Sequence, residues 1–528
     1  MYDPLSLTFI LGYAETHYRF PFCPSLLFRR VPEIYFDAPH RLNPSSPLPF
    51  VLVVKDADRF PLMISRITAA VAFMDTRRIF TREFTFSDPE IRVPLFTRLF
   101  HLPLPENYQG EIQLNIKLEG TCRKRPLLVL NDNLPFGAHF SFPVHVADKP
   151  LPALPGYYYG EPHCHSSYTC DEVEFGAPLE VIGEMAAAIG LSWVFVTDHS
   201  YDLDAKNPFG SGQNSFHDMR EAATRHSRAA CCLVPGEEIS VQNKMNKTVH
   251  LVQINSPEFI EGYGDSGRER LRACTHTLAQ VAEKNTEKEG TFLFAAHPGD
   301  IPGFLQNLLL NRGHWTHTDF QAGISASQFW NGKRDRSFYR GRAQWIQLLL
   351  SGKKIAPLGG NDAHGDFSRV RKIALPFFSI QEEKNVGFGR VRTALQTETL
   401  SPEKIVEAVR ACRTVVTNGP FITFSIHTPR GVAGLGETAV GTTLTLHLEA
   451  LSTEEFGPLK QVTLYQGTLH EKENKIAEWA VLPSSPFRFT AVHPVILLFP
   501  AYFRVEVSSK RSNDVFFGLS SPIWAETA

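Results

Sequence analysis

Two short histidine–carboxylate motifs constrain this chain more than any other feature. One is His163-Cys164-His165, inside Glu161-Pro162-His163-Cys164-His165-Ser166-Ser167-Tyr168; the other is Asp362-Ala363-His364, inside Gly359-Gly360-Asn361-Asp362-Ala363-His364-Gly365. Alternate residues on a strand point to one face. An H-x-H at a strand end therefore aims two imidazoles at one point, and a D-x-H aims a carboxylate and an imidazole. Such a donor mixture suits zinc, iron or manganese. If the motifs are two ends of one metal site, the fold must bring residues near 163 and 362 together.

The segment between them has the pattern for that. From about 156 to 425, apolar runs alternate with helical stretches. Trp193-Val194-Phe195-Val196-Thr197 ends in Asp198-His199. Pro178 to Gly190 reads as a helix, with Pro at its start, Ile182, Met185 and Ile189 at helical spacing and Gly at its end. Further strands are expected at 232–236, 249–252, 292–296 and 355–358, and helices near 266–286, 335–352 and 401–411. Strand–helix alternation implies parallel strands, in a barrel or an open sheet. More candidate ligands fall along these strands: His199, Glu238 in Pro235-Gly236-Glu237-Glu238, His250, and His297 in Ala296-His297-Pro298. The rim at the C-terminal strand ends is where a parallel barrel places its chemistry.

The flanks read differently. Residues 1–150 carry short strands and many prolines, and 111–118 alternates polar and apolar residues throughout. Residues 426–528 return to the same character at 443–449 and 503–507. Each flank is expected to be a small β-sandwich, with 149–156 as a proline-rich linker.

Composition narrows the function. At 528 residues the chain exceeds one ordinary domain, and its 43% apolar and 20% charged residues describe a globular protein. A formal charge of −2 asks for neither nucleic acid nor anionic lipid. The eight cysteines are scattered without a C-x-x-C pair, which suggests free thiols in a reducing compartment. Leu5 to Leu11 follows Asp3 and is read as a strand rather than a signal core. No run approaches the ~18 apolar residues of a membrane helix. The expectation is a cytoplasmic protein.

The ordered set H-x-H, D-H, G-x-E, H, H-P and D-x-H resembles the PHP (polymerase and histidinol phosphatase) metallohydrolase family over roughly 156–380. It is most like the branch containing carbaryl-hydrolase-like metallohydrolases, through His165-Ser166-Ser167-Tyr168, Phe175-Gly176-Ala177 and 413–420. The resemblance implies an α/β fold: a distorted (β/α)7 barrel, here flanked by the two sandwiches, with two or three divalent metals (Zn, Mn or Fe) at its rim. Carried over, His163, His165, Glu238 and Asp362 would hold one metal. Glu238 would bridge to a second, bound also by His250 and His297. His199, His364 and a carboxylate after the H-x-H would hold a third. That carboxylate is Asp171, with Glu172 or Glu174 as substitutes.

Metals of this kind lower the pKa of bound water, so hydroxide is available at neutral pH. The expected activity is metal-dependent hydrolysis of a small-molecule ester, with phosphoesters favoured over carboxyl esters or carbamates. A non-catalytic binding module is the competing class. Asp198 is expected to orient His199, and Arg369, with Arg371 beyond it, to grip phosphate. Tyr168, Phe175 and Trp330 are candidates for an apolar pocket or for packing. Gln328 stands where relatives often have a glutamate, which bears on pocket polarity.

Overall fold

The computed structural model describes residues 30–86, 90–133, 140–169, 176–204, 215–264, 273–286, 290–303, 307–308, 311–365, 367–368, 372–375, 378–381 and 387–527. Strands dominate them, and six helices accompany the strands. The N-terminal part builds a 3-stranded and a 6-stranded sheet. Strand Gly110–Cys122 buries Ile112, Leu114, Ile116 and Leu118 on one face, as its alternation requires. These side chains share one core with Phe50, Leu52 and Val54 of strand Leu48–Lys55 in the other sheet.

The remainder centres on a single 15-stranded mixed sheet, and here the expected architecture fails. Strands Tyr157–Cys164, Trp193–Val196 and Cys232–Gln242 run parallel. Strand Thr248–Ile254 then pairs antiparallel with both Cys232–Gln242 and Phe292–Ala295. Ile324–Asn331 and Ala356–Gly360 continue in parallel from Phe292–Ala295. No ladder among the described residues closes this run into a (β/α)7 barrel. Tyr157–Cys164 spends its other edge on antiparallel pairing with Arg392–Gln396, and its backbone pairs with the 356–364 segment through an isolated bridge, Cys164 to Ala363, not through a ladder. Periodicity could not reveal this, because a buried strand reads the same whichever way its neighbour runs.

The C-terminal flank is not a separate sandwich either. Strand Asp514–Ser520 pairs with Thr414–Thr417 and extends the large sheet, which runs on through Ala501–Arg511 and Leu459–Thr468. A smaller 4-stranded sheet, containing Phe421–Thr428 and Thr443–Leu451, completes this end.

The helices begin and end where local chemistry dictates. Leu179–Ile189 stops at Gly190, whose φ of 100° supplies the left-handed cap. Arg336–Leu350 starts at Asp335, whose carboxylate accepts from the Ser337 and Phe338 amides. Pro402–Arg410 starts at Ser401, which accepts from Lys404 N; each such cap contributes about 1 kcal/mol. Of the expected 266–286 helix, Leu278–Thr286 is present, and 265–272 lies outside the described residues. Among the described residues no helix is long and apolar enough to cross a membrane.

Candidate metal centre

Eight of the candidate ligands meet at one point. His163 and His165 leave the end of strand Tyr157–Cys164, His199 follows Trp193–Val196 and His297 follows Phe292–Ala295. Asp362 and His364 follow Ala356–Gly360. Glu238 and His250 come instead from within strands, Cys232–Gln242 and Thr248–Ile254. Their antiparallel register sets Ser240 opposite His250, which places His250 diagonal to Glu238 on the same face.

Glu238 is the hub. Its oxygens lie 2.8 Å from His250 Nδ1, 3.1 Å from His199 Nδ1 and 3.3 Å from His297 Nε2. His165 Nε2 and His163 Nε2 are 3.4 and 3.5 Å away. Asp362 Oδ1 stands 3.0 Å from His165 Nε2 and 3.3 Å from His163 Nε2. The donor atoms fall into three mutually close sets: His163, His165, Glu238 and Asp362; Glu238, His250 and His297; and His165, His199 and His364. The first two coincide with sets implied by the resemblance. In the third, His165 joins His199 and His364, while Asp171, Glu172 and Glu174 lie outside the described residues.

Outer partners turn the ring nitrogens inward. His163 Nδ1 donates to Gln328 Oε1 at 2.7 Å, leaving the Nε2 lone pair for the centre. His165 Nδ1 lies 3.3 Å from Thr169 Oγ1, and His364 Nδ1 3.1 Å from the Asp362 carbonyl. His163 Nε2 and His165 Nε2 are then only 3.3 Å apart. Two lone pairs aimed at one point repel unless a proton or a cation sits between them. His297 and Asp362 have φ of 31° and 51°. Such backbone is strained for these residues and persists where surrounding structure over-determines it.

The electrostatics agree with a cation site. Burial alone would raise Glu238, yet His250 and His163 hold it well below the usual carboxylate range. Burial would lower His165, but Asp362 and Glu238 outweigh it and push the ring up to about 10. Among the described residues, both Glu238 oxygens and His297 Nε2 are buried without a well-formed hydrogen bond. Ionised carboxylates and imidazole lone pairs crowded this closely would be satisfied by divalent cations.

Glu237 faces the other way. It accepts from the Ile260 amide at 3.0 Å and from Gln253 Nε2 at 3.3 Å, and burial raises it well above the carboxylate norm. Asp198 takes a role different from the expected one. Its carboxylate accepts from the amides and hydroxyls of both Ser166 and Thr169, at 2.7–3.0 Å. It thereby fixes the loop after the H-x-H, and through Thr169 the ring of His165. Arg369 and Arg371 lie outside the described residues, as does Phe175. Trp330 is fully buried against Phe338 and Phe517 and is packing, not pocket wall. Tyr168 is half-buried beside the main core. Cys164 is a core residue whose thiol burial pushes up, which argues against a nucleophile.

Sequence reasoning does not reach three contributors. Glu161 is fully buried and accepts from the amides of His163, Asn361 and Gly389 at 2.9–3.2 Å, tying the two motifs together. A Cβ on Gly360 would collide with this carboxylate, which accounts for glycine there. Burial pushes Glu161 up to about 7. Its position two residues before His163, on the same face, is the available signal. Gln328 bears, in the sequence, only on pocket polarity. Arg312 carries no sequence signal at all; its Nη2 lies 3.2 and 3.3 Å from the two nitrogens of His250, beside the ring and not in line with one lone pair. Gln328→Leu is expected to lower metal affinity about 10–100-fold. Competition with a metallochromic chelator would measure it, and an unchanged affinity would deny Gln328 its orienting part.

No protein-family model matches the chain, and no curated protein matches it. Among solved structures, a β-glucuronidase of Parabacteroides merdae overlaps 94% of this chain at 10% identity, with a TM-score of 0.19. The chain spans 64% of that enzyme's length. A Paenibacillus sp. cycloisomaltooligosaccharide glucanotransferase overlaps 93% of this chain and 72% of its own, at 10% identity and a TM-score of 0.18. A DUF3823 family protein from Bacteroides ovatus overlaps 31% of this chain and 95% of its own, at 15% identity and a TM-score of 0.14. Overlaps this loose assign neither fold nor function.

Proposed function

We propose that the chain is a metal-dependent hydrolase that holds two or three divalent cations and acts on a small ester, with phosphoesters as the preferred class. One observation carries the reading: eight side chains from six strands and strand ends converge on three donor sets that share Glu238 and His165. The order of these ligands along the chain is also the order of the motifs that resemble PHP metallohydrolases.

His163, His165, Glu238 and Asp362 would hold one cation, Glu238, His250 and His297 a second, and His165, His199 and His364 a third. Zinc, manganese and iron all accept this imidazole–carboxylate mixture. Bound there, such ions would activate water near neutral pH and neutralise charge that builds on the attacked ester. The chain's own work is positional. Gln328 and Thr169 hold imidazole tautomers, Asp198 holds Thr169, and Glu161 clamps the two motifs in register. Arg312, against His250, adds a fixed positive charge beside the donor sets, which favours an anionic substrate.

The test is elemental analysis of protein purified without chelator, then steady-state assays with p-nitrophenyl phosphate, a phosphate bis-ester, p-nitrophenyl acetate and 1-naphthyl methylcarbamate. At least two metals per chain and metal-dependent turnover of a phosphoester are expected. Only traces of metal after reconstitution with zinc, manganese and iron would refute the hydrolase. Turnover of the acetate or carbamate with none on phosphoesters would reassign the bond.

A further inference from the structure

A second group of buried charges contains none of the candidate metal ligands. Arg392 starts strand Arg392–Gln396. Its neighbour Thr393 faces inward and bonds Gly359 through its hydroxyl, so Arg392 faces the opposite side of the sheet. There its guanidinium carbon sits 5.6 Å from the Tyr159 ring centroid and 5.1 Å from that of Phe456. Aromatic rings attend to guanidinium faces, but its N–H groups point out along the edges in the plane. Of those, Nη1 donates to the Gly389 carbonyl at 3.2 Å, whereas Nε and Nη2 are buried with no hydrogen-bond partner among the described residues. The side chain is 2% exposed.

Among the described residues the carboxylates around it are already engaged: Asp37, near His40, accepts from the amides of Ala38, Phe367 and Ser368. Arg41, equally buried, takes up Glu455 through Nε at 2.9–3.0 Å and spends its other nitrogens on Asn43 and the carbonyls of Ile189 and Lys149. Arg390 adds a third guanidinium, whose Nε is also buried without a partner among the described residues. His40 belongs to the same group and bonds the Phe367 carbonyl at 3.2 Å. Burial, foremost, brings both Arg390 and Arg392 down to about 10, and for Arg392 repulsion from Arg41 and Arg390 adds to it. Burial and all three arginines depress His40. The carboxylates that reach Arg390 are Glu111, half-exposed and paired with His145, and Glu455, already taken by Arg41.

Unpaired guanidinium charge in a dry interior is costly, and a rigid fork of N–H groups matches an oxyanion better than any other partner. We propose that Arg392 and Arg390, with Arg41 and His40 behind them, form an anion site where the N-terminal sheets, the large sheet and the C-terminal segment meet, and that its ligand is a small oxyanion, a phosphate group above all. The site is independent of the metal centre and of the reaction proposed there.

Inorganic phosphate is the probe, on the full chain, both metal-loaded and chelator-treated, at constant ionic strength against sodium chloride. A saturable rise in unfolding temperature is expected in both preparations, with calorimetry giving the affinity. In the chelator-treated protein, where the metal centre offers phosphate no cation, Arg390→Gln and Arg392→Gln should each weaken binding about tenfold or more, and Glu238→Gln should leave it unchanged. Should Arg392→Gln fail to fold, Arg390→Gln and Arg392→Lys carry the same test. The proposal falls if phosphate does no more than chloride, if the folded arginine variants bind as wild type, or if binding disappears with Glu238→Gln or with chelation. It falls too if saturation needs phosphate far above cellular levels, which would mean an adventitious ion only.

Discussion

Glu238→Gln is expected to cut turnover about a thousandfold and to leave the chain short of at least two cations, while Glu237→Gln changes neither by much. A carboxylate shared between two donor sets offers two charged oxygens, and an amide offers one neutral acceptor. The adjacent residue is the control. Burial raises Glu237 well above the carboxylate norm, and a glutamine oxygen can accept the same bonds from Ile260 N and Gln253. Its folded-state pKa lies above the unfolded value. Its contribution to stability is therefore present at acid pH and is lost as pH rises from the unfolded value toward the folded one. Glu237→Gln cannot ionise, so it should gain on wild type across that window and be no less stable at neutral pH. Metal content, kcat and a urea-unfolding series at two pH values would settle both halves. Equal losses in the two variants would show that the hub has been misplaced.

Stripping the metals should lower the unfolding temperature by several degrees, reversibly on reloading. A site at a thousand times its Kd contributes about 4 kcal/mol of folding stability, and at least two such sites share one buried centre. Without cations, the buried carboxylates must be balanced by protonated imidazoles, His165 foremost, with its pKa pushed up to about 10. That balance is complete below the unfolded histidine pKa and fades as pH rises through the folded one. Chelated protein should therefore lose stability toward alkaline pH. Loaded protein should lose it toward acid, where protons displace cations. Calorimetric scans with and without chelator from about pH 5 to 9, a range that spans the ordinary histidine pKa, would show the opposed slopes. Parallel profiles would mean that the centre binds nothing of consequence.

The site is far more legible in the sequence than the fold around it. Short motifs such as H-x-H and D-x-H state their geometry locally, because two residues apart on a strand means one face. Strand direction is not a local property. Nothing in Val249-His250-Leu251-Val252 says that this strand runs against both neighbours, and nothing in 514–520 says that it will pair with 414–417. The outer layer is hidden for another reason. Glu161, Thr169 and Gln328 act through partners that only the folded chain supplies, so the sequence does not state which ring or amide each one holds. Asp198 is legible as a residue beside the site, but its bonds run to Ser166 and Thr169 and thus serve the opposite motif.

The return of strand Asp514–Ser520 to the edge of Thr414–Thr417 has a bearing on how the chain is made. Every proposed ligand has been synthesised by residue 364, yet the sheet that carries them keeps a bare hydrogen-bonding edge until strand Asp514–Ser520 emerges. A nascent chain in that interval presents an apolar ladder that any other strand could capture. Early metal capture would rigidify the centre without covering this edge. Protection at that stage must come from chaperones or from speed, and stop codons or proteolytic cuts shortly before residue 514 should yield insoluble protein even though no proposed ligand is lost.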